Sequence, residues 1–170
     1  MDRKLFIDTM VFLHFRPLDE LDLPSRLQSD TITLVVPRIT IRELDKHKSE
    51  HRNRKVRERT LRVLKEFETA ITNGKPLKGG IVVEPFSTYP KDQLDKLPLN
   101  PEWADDVLIA SVVAYKEISG NTDVTIISQD TGIRLTCRNH GIATLQLDPN
   151  EMLPEDLDCY VLRNSRDIVP

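Results

Sequence analysis

Cysteine, glycine and aromatic residues are all scarce in this chain, and each scarcity removes a class of protein. Two cysteines in 170 residues cannot build a disulfide scaffold. Cys137 and Cys159 also lack metal-ligand spacing, so they read as reduced thiols of a cytoplasmic protein. Six glycines without a repeating period exclude collagen-like and low-complexity architectures. Aromatic residues make up 5%, so recognition of single strands by base-stacking platforms is not evident. No apolar run approaches the ~20 residues needed to cross a bilayer. Leu5–Phe6–Ile7, behind Met1–Asp2–Arg3–Lys4, is far below signal-peptide length, so no membrane partner is expected.

What remains is 39% hydrophobic and 30% charged, the composition of one compact domain with a single core. The net charge of −3 hides an asymmetry. Arg42 to Arg62 holds nine Lys/Arg against four Asp/Glu, a local +5 that leaves −8 for the rest. Such a stretch suits either a solvated helix face or a positive arm that meets a polyanion.

Strand and helix signals alternate. Leu5–Phe6–Ile7 reads as a strand closed by Asp8, and Met10 to Leu13 as the start of a helix. Thr31 to Val36 is a second strand stopped by Pro37. Thr40 is placed to cap a helix from Ile41, with Glu43 as capping-box partner. Val56, Thr60, Val63, Leu64, Phe67 and Ile71 follow helical spacing up to Asn73–Gly74. Ile81 to Val83 predicts an edge strand, and the proline-rich residues 85 to 101 an irregular loop. Glu102 to Ile118 predicts a core helix, Asp123 to Ser128 a strand, Ile133 to His140 a short helix and Ala143 to Leu145 a last strand. Parallel strands joined through helices imply a three-layer α/β/α sandwich around a mostly parallel sheet. The expected domain spans residues 1–147, with 148–170 as an acidic tail or the start of a linker.

Ligands of such sheets gather beyond the carboxyl ends of the strands, and four acids stand in those places. Asp8 follows the first strand, Glu43 the second, Asp130 the strand ending at Ile127, and Asp106 opens the core helix beside Asp105. Singly, each has a structural reading: Asp8 as an N-cap, Glu43 as a capping acid, Asp130 as a turn residue, Asp105 and Asp106 as dipole-complementing acids. Drawn together, they repel one another unless a cation neutralises them, and an oxygen-only donor set selects Mg²⁺ or Mn²⁺. His14, His47, His51 and His140 form no ligand-spaced cluster in the sequence, which argues against a zinc hydrolase and a His-dependent ribonuclease.

The runs Phe6–Ile7–Asp8–Thr9, Pro37 to Glu43–Leu44, Asp106–Val107–Leu108–Ile109–Ala110 and Ile127–Ser128–Gln129–Asp130 together resemble a PIN-domain nuclease over roughly residues 4 to 147. The resemblance implies an α/β/α sandwich that hydrolyses phosphodiester bonds, usually in single-stranded RNA, with Mg²⁺ or Mn²⁺. It maps the catalytic and metal-binding acids onto Asp8, Glu43, Asp106 and Asp130, with Asp105 as an auxiliary ligand. Thr9 and Ser128 then orient carboxylates by hydrogen bonding. The same mapping implies 5′-phosphate and 3′-hydroxyl products. Met10 departs from the family pattern, which often has a small polar residue there, and this keeps alive an alternative: a weakly active or inactive RNA-binding or assembly module.

The basic stretch fits this reading. Lys46, Lys48, Arg52, Arg54, Lys55 and Arg57, followed by Arg59, are placed to steer RNA toward the acids. Of the aromatics near the irregular loop, Phe86 and Tyr89 are noted, and Trp103 is assigned to the core. The long basic segment resembles larger PIN domains such as those fused to PhoH-type ATPases. That implies a larger RNA-processing protein as partner or parent, with self-association left open. Two other classes fit less well. A phosphatase or phosphotransferase of the acid-after-strand type needs a second Asp two residues after Asp8, where Met10 stands. A nucleotide-binding protein needs a phosphate-binding glycine loop that the chain lacks.

Overall fold

A computed structural model describes residues 2–120 and 123–154. Five strands form one sheet: β1 (Asp2–Ile7), β2 (Thr31–Pro37), β3 (Val82–Phe86), β4 (Val124–Ile127) and β5 (Ala143–Leu145). All pair in parallel, in the order β3-β2-β1-β4-β5. Seven α-helices among the described residues connect and cover them: α1 (Thr9–His14), α2 (Leu23–Leu27), α3 (Arg38–Glu50), α4 (Arg54–Asn73), α5 (Lys91–Lys96), α6 (Ala104–Ser119) and α7 (Thr131–Asn139).

The two-residue alternation of β1 sorts the core into two layers. Leu5 and Ile7 face Phe12, Leu44, Val56 and Phe67, so α1, α3 and α4 cover one side. Phe6 faces Leu108, Val112, Tyr115, Ile133 and Cys137, so α6 and α7 cover the other. The result is the expected three-layer α/β/α sandwich. Because β4 and β2 are buried on both faces, they are apolar at nearly every position, as parallel strands under helices must be. Helix α6 buries eight residues from Val107 to Tyr115, in agreement with its apolar sequence. Gly74 and Gly120 end α4 and α6 with φ of +61° and +63°, left-handed values that glycine adopts without a Cβ penalty.

Three local expectations are corrected. Helix α3 begins at Arg38 rather than Ile41, with Pro37 as its N-cap and no capping side chain. The fixed φ of proline suits a helix start, so Thr40 falls inside the helix, where its hydroxyl is buried without a hydrogen-bond partner among the described residues. The segment 85–101 is not wholly irregular, since it contains α5, which packs Leu94 against Val107 and Ala110. The basic stretch is broken at residues 51–53 between α3 and α4, with Asn53 capping α4 through Lys55 N at 2.9 Å.

The start of the acidic tail packs back on the domain. Asp148 caps a 3₁₀ turn at Pro149–Glu151, Met152 bridges to Phe15, and Leu153 N donates to His14 O. Residues 155–170, with Cys159, lie outside the described residues; Cys137 is a buried free thiol.

Beside the edge strand, Glu84 accepts from Lys4 Nζ and from the Tyr115 hydroxyl, each at 3.0 Å. One carboxylate thus ties β1, β3 and α6 together. Glu84→Ala leaves both donors without this acceptor and is expected to cost about 1–3 kcal/mol, read as a lowered urea midpoint with an unchanged m-value. Glu84→Gln should recover part of the loss.

Candidate metal centre

Strand order determines where the acids meet. The chain runs from β1 through β2 to β3 on one side of the sheet and then crosses over to β4 and β5 on the other, which makes the gap beyond β1 and β4 the topological switch point of the sheet. Ile7 pairs with Ile127, so Asp8 and Ser128 emerge side by side. Asp8 N donates to Ile127 O at 2.9 Å, and the Ser128 hydroxyl donates to Asp8 Oδ2 at 2.8 Å.

Asp8 fills the N-cap role that its sequence position suggested. Its Oδ1 accepts from Met10 N at 3.3 Å as the N-cap of α1, while its other oxygen is held by Ser128. Only 5% of the residue is exposed. Burial pushes its carboxyl above the ordinary carboxylate value, and repulsion from Asp105 and Asp130 adds to that, against the bonds from Ser128 and Met10. Asp130 caps α7 through Ile133 N at 2.9 Å, and its own N–H donates to the Ser128 hydroxyl at 3.0 Å. Ser128 thus links Asp8 to Asp130.

Glu43 reaches the same place from α3. It does not close a capping box; instead it accepts from the Thr9 hydroxyl at 2.8 Å. Burial raises its pKa, the Thr9 bond opposes this, and Asp8 and Asp105 raise it further. The two hydroxyls singled out in the sequence, Thr9 and Ser128, each bind one carboxylate.

Helix α6 contributes two acids with different surroundings. Asp105 is exposed, and its pKa is raised first by desolvation of its carboxyl and then by Asp130 and Asp106. Its charge is felt at Asp8 and Glu43 as well. Asp106 Oδ2 accepts from Asn100 N at 2.7 Å and fastens the preceding loop. One residue of helix is a rotation of about 100°, enough to send adjacent carboxylates to different neighbours. Asp105 is the helix carboxylate coupled to Asp8, Glu43 and Asp130.

The donors are all carboxylate oxygens, which suit hard divalent cations. Their mutual repulsion is the electrostatic condition that a cation relieves. Among the described residues, no three His, Cys, Asp or Glu groups stand close enough as arranged to ligate one ion, so binding would require the side chains to converge.

Two histidines one helical turn apart and a third distant in sequence do gather. The rings of His14 and His47 lie 6.1 Å and 5.6 Å from that of His51, and His51 Nδ1 accepts from Asn53 N. Burial and then the neighbouring His51 and Lys46 lower the pKa of His47. This imidazole cluster arises only when α1 packs against the α3–α4 corner.

The basic residues are divided in their roles. Lys48 pairs with Asp45 and Arg54 with Glu58, Arg57 donates to His51 O and Arg52 O, and Arg59 to Leu13 O. Lys46 is close enough to Glu43 to lower its pKa. Lys48, Arg52, Arg54 and Lys55 are exposed on the α3–α4 corner.

Among aromatics, Phe86 is buried against Tyr115 and Tyr89 is exposed. Trp103, assigned to the core from sequence, is 64% exposed. It is the N-cap of α6 and so lies before the helix's apolar stripe begins. Met10 is exposed.

A family model for the PIN domain matches residues 5–148. Among solved structures, a domain of a functionally unknown protein from Methanocaldococcus jannaschii is similar at 17% identity and TM-score 0.51, over 86% of this chain and 91% of that one. A member of the VapBC toxin–antitoxin family, VapBC-5 from Mycobacterium tuberculosis, gives 15% identity and TM-score 0.46, over 85% and 97%. No curated protein matches the chain.

The raised carboxyls fix the sign of a stability effect. The folded chain holds protons on Asp8, Glu43 and Asp105 more tightly than the unfolded chain. The stability of metal-free protein should therefore rise as pH falls from neutral through their raised values, the gain being complete below the ordinary values of 3.8 and 4.5. Other acids act in the opposite sense at low pH, so the diagnostic is the difference from Asp8→Asn. That variant should melt a few degrees higher than wild type at pH 7 in chelator, and the advantage should shrink as pH is lowered.

Proposed function

Because the chain belongs to the PIN-domain family, whose members are in general metal-dependent nucleases, we propose that it is a ribonuclease cutting single-stranded RNA with Mg²⁺ or Mn²⁺. The observation that carries this reading is the hydrogen-bonded set beyond the switch point of the sheet, in which Ser128 joins Asp8 to Asp130 and Thr9 holds Glu43, with the charge of Asp105 felt at Asp8 and Glu43. Four carboxylates without a cation between them form a poor surface for a phosphodiester, and with one they form a cutting site.

In this account Asp8, Glu43, Asp105 and Asp130 hold the cation, with Asp106 adjoining them and anchoring the Asn100 loop. When bound, the cation supplies positive charge at the scissile phosphate and favours the hydroxide form of water. Ser128 fixes Asp8 and Thr9 fixes Glu43, so these two carboxylates are already oriented before substrate arrives. Asp130 and Glu43, less deeply buried than Asp8, are the acids within reach of the attacking water. Attack at phosphorus by water, with departure of the 3′-oxygen, leaves 5′-phosphate and 3′-hydroxyl ends. Lys46 and Arg52, beyond Glu43, steer the phosphate backbone from the basic corner. The domain is residues 1–147, acting in the cytoplasm on its own or within a larger RNA-processing protein of the kind that carries larger PIN domains.

The test uses 5′- and 3′-labelled single-stranded RNA and DNA with Mn²⁺, Mg²⁺ or EDTA. Cleavage of RNA is expected with metal only, leaving 5′-phosphates. Asp8→Asn and Asp105→Asn should each lower kcat by about 100-fold or more, on the scale of losing one electrostatic group at a reacting phosphate. Asp106→Asn should lower it less. Cleavage that persists in EDTA, or survives in both folded variants, would overturn the assignment.

A further inference from the structure

Next to the acid cluster lies a second feature that the hydrolytic chemistry does not use. A cavity of about 210 Å³ opens between the N-terminal half of α3, the loop after β3 and the second turn of α6, lined by Arg38, Arg42, Thr88, Tyr89, Val107 and Ser111 among others. It stands on the β2–β3 side of the sheet, whereas the acids stand on the β1–β4 side. Two of its walls are nevertheless the helices that carry Glu43 and Asp105. Arg42 directly precedes Glu43, and Val107 follows Asp106.

Three observations bear on what the cavity takes. Arg38 and Arg42 are four residues apart on α3 and exposed, and neither has an ion-pair partner among the described residues. Like charges at this spacing repel, and Arg38 lies in the first turn, where the helix dipole also disfavours a cation. An anion between them removes both penalties, and guanidinium forks match phosphate oxygens bidentately. Tyr89 lines the cavity as well and is 53% exposed, so an aromatic side chain is open to a ligand there. The volume falls below the ~300 Å³ at which pockets begin to enclose drug-sized ligands, so it admits one unit of a longer molecule and has no room for a base pair.

The geometry points to a binding subsite for one unpaired nucleotide of a single-stranded nucleic acid, its phosphate on Arg38 and Arg42 and its base against Tyr89. Exposed bases stacked on aromatic rings, with cations along the backbone, are the general means by which single strands are held. The subsite deepens the ribonuclease reading and rests on it. It fixes the register of the strand, so that the next phosphodiester lies over the acids, and it rejects duplexes because a paired base cannot enter.

Binding tests this apart from cleavage. Fluorescein-labelled single-stranded and duplex RNA ten-mers are titrated by anisotropy against full-length Asp8→Asn protein, with and without Mn²⁺. Single-strand binding is expected to exceed duplex binding. Arg38→Ala with Arg42→Ala should weaken it at least ~10-fold and flatten the salt dependence by ~0.7 per lost phosphate contact. Tyr89→Ala should weaken it about 10-fold with the salt slope unchanged, and Tyr89→Phe should restore it. Arg62→Ala with Lys65→Ala, on α4, should leave it unchanged. All these side chains except Tyr89 belong to solvated helix faces, and melting curves verify folding of every variant. Parent-like affinity and salt slope in the Arg38/Arg42 and Tyr89→Ala variants would overturn the subsite even if wild-type protein cleaves RNA. Absence of single-strand binding by the parent would overturn it as well. Binding that follows the expected pattern in a protein that never cleaves would retain the subsite and discard the nuclease reading.

Discussion

A carboxylate buried between two parallel strands is costly, and the chain places Asp8 there at the centre of its sheet. Asp8 is 5% exposed, is repelled by Asp105 and Asp130, and holds its position because Ser128 and the first turn of α1 donate to it. The surrounding architecture follows from keeping this group in register. Pairing of Ile7 with Ile127 sets Ser128 beside it, Thr9 on the next residue reaches Glu43, and α6 brings the charge of Asp105 close enough to be felt at Asp8. Stability is given up locally in exchange for a concentrated negative potential, a pattern typical of sites that bind cations.

Much of this was legible in the sequence, and for physical reasons. Residues that end parallel strands are easy to locate, because the strands are apolar runs with abrupt polar stops; Asp8 after Ile7 and Ser128–Gln129–Asp130 after Ile127 are of this kind. The Asp8 and Asp130 caps are compatible with the proposed role as cation ligands, since a carboxylate has oxygens enough for both. The α6 acids were harder. The phase of a helix at its first turn depends on where it starts, and the two adjacent acids differ in neighbours: the charge of Asp105 is felt at Asp8 and Glu43, while Asp106 accepts from Asn100 N. Trp103 was misplaced for the same reason, standing at the cap before the buried stripe.

Features formed by distant segments left little local trace. The histidine group joins α1 to the α3–α4 corner, and the Arg38–Arg42–Tyr89 cavity joins β2's helix to β3's loop because β3 pairs with β2. An exposed, unpaired i, i+4 arginine pair just after a strand was the one available signal for the latter. The basic stretch, by contrast, was conspicuous in the sequence and is partly spent on structure: Arg57 and Arg59 bind backbone carbonyls, and Lys48 and Arg54 bind neighbouring acids. Net charge identified the region without separating structural cations from those free to meet a polyanion.

The central claim is that the repulsion among Asp8, Glu43, Asp105 and Asp130 is relieved by a divalent cation held between them. Its most direct test is the melting temperature of the protein titrated with Mn²⁺ at pH 7, beside an Asp8→Asn/Asp105→Asn double variant. A saturable rise of several degrees is expected in wild type, as for any ligand that binds only the folded state, and little or none in the double variant. No rise in wild type, or an equal rise in both proteins, would contradict it.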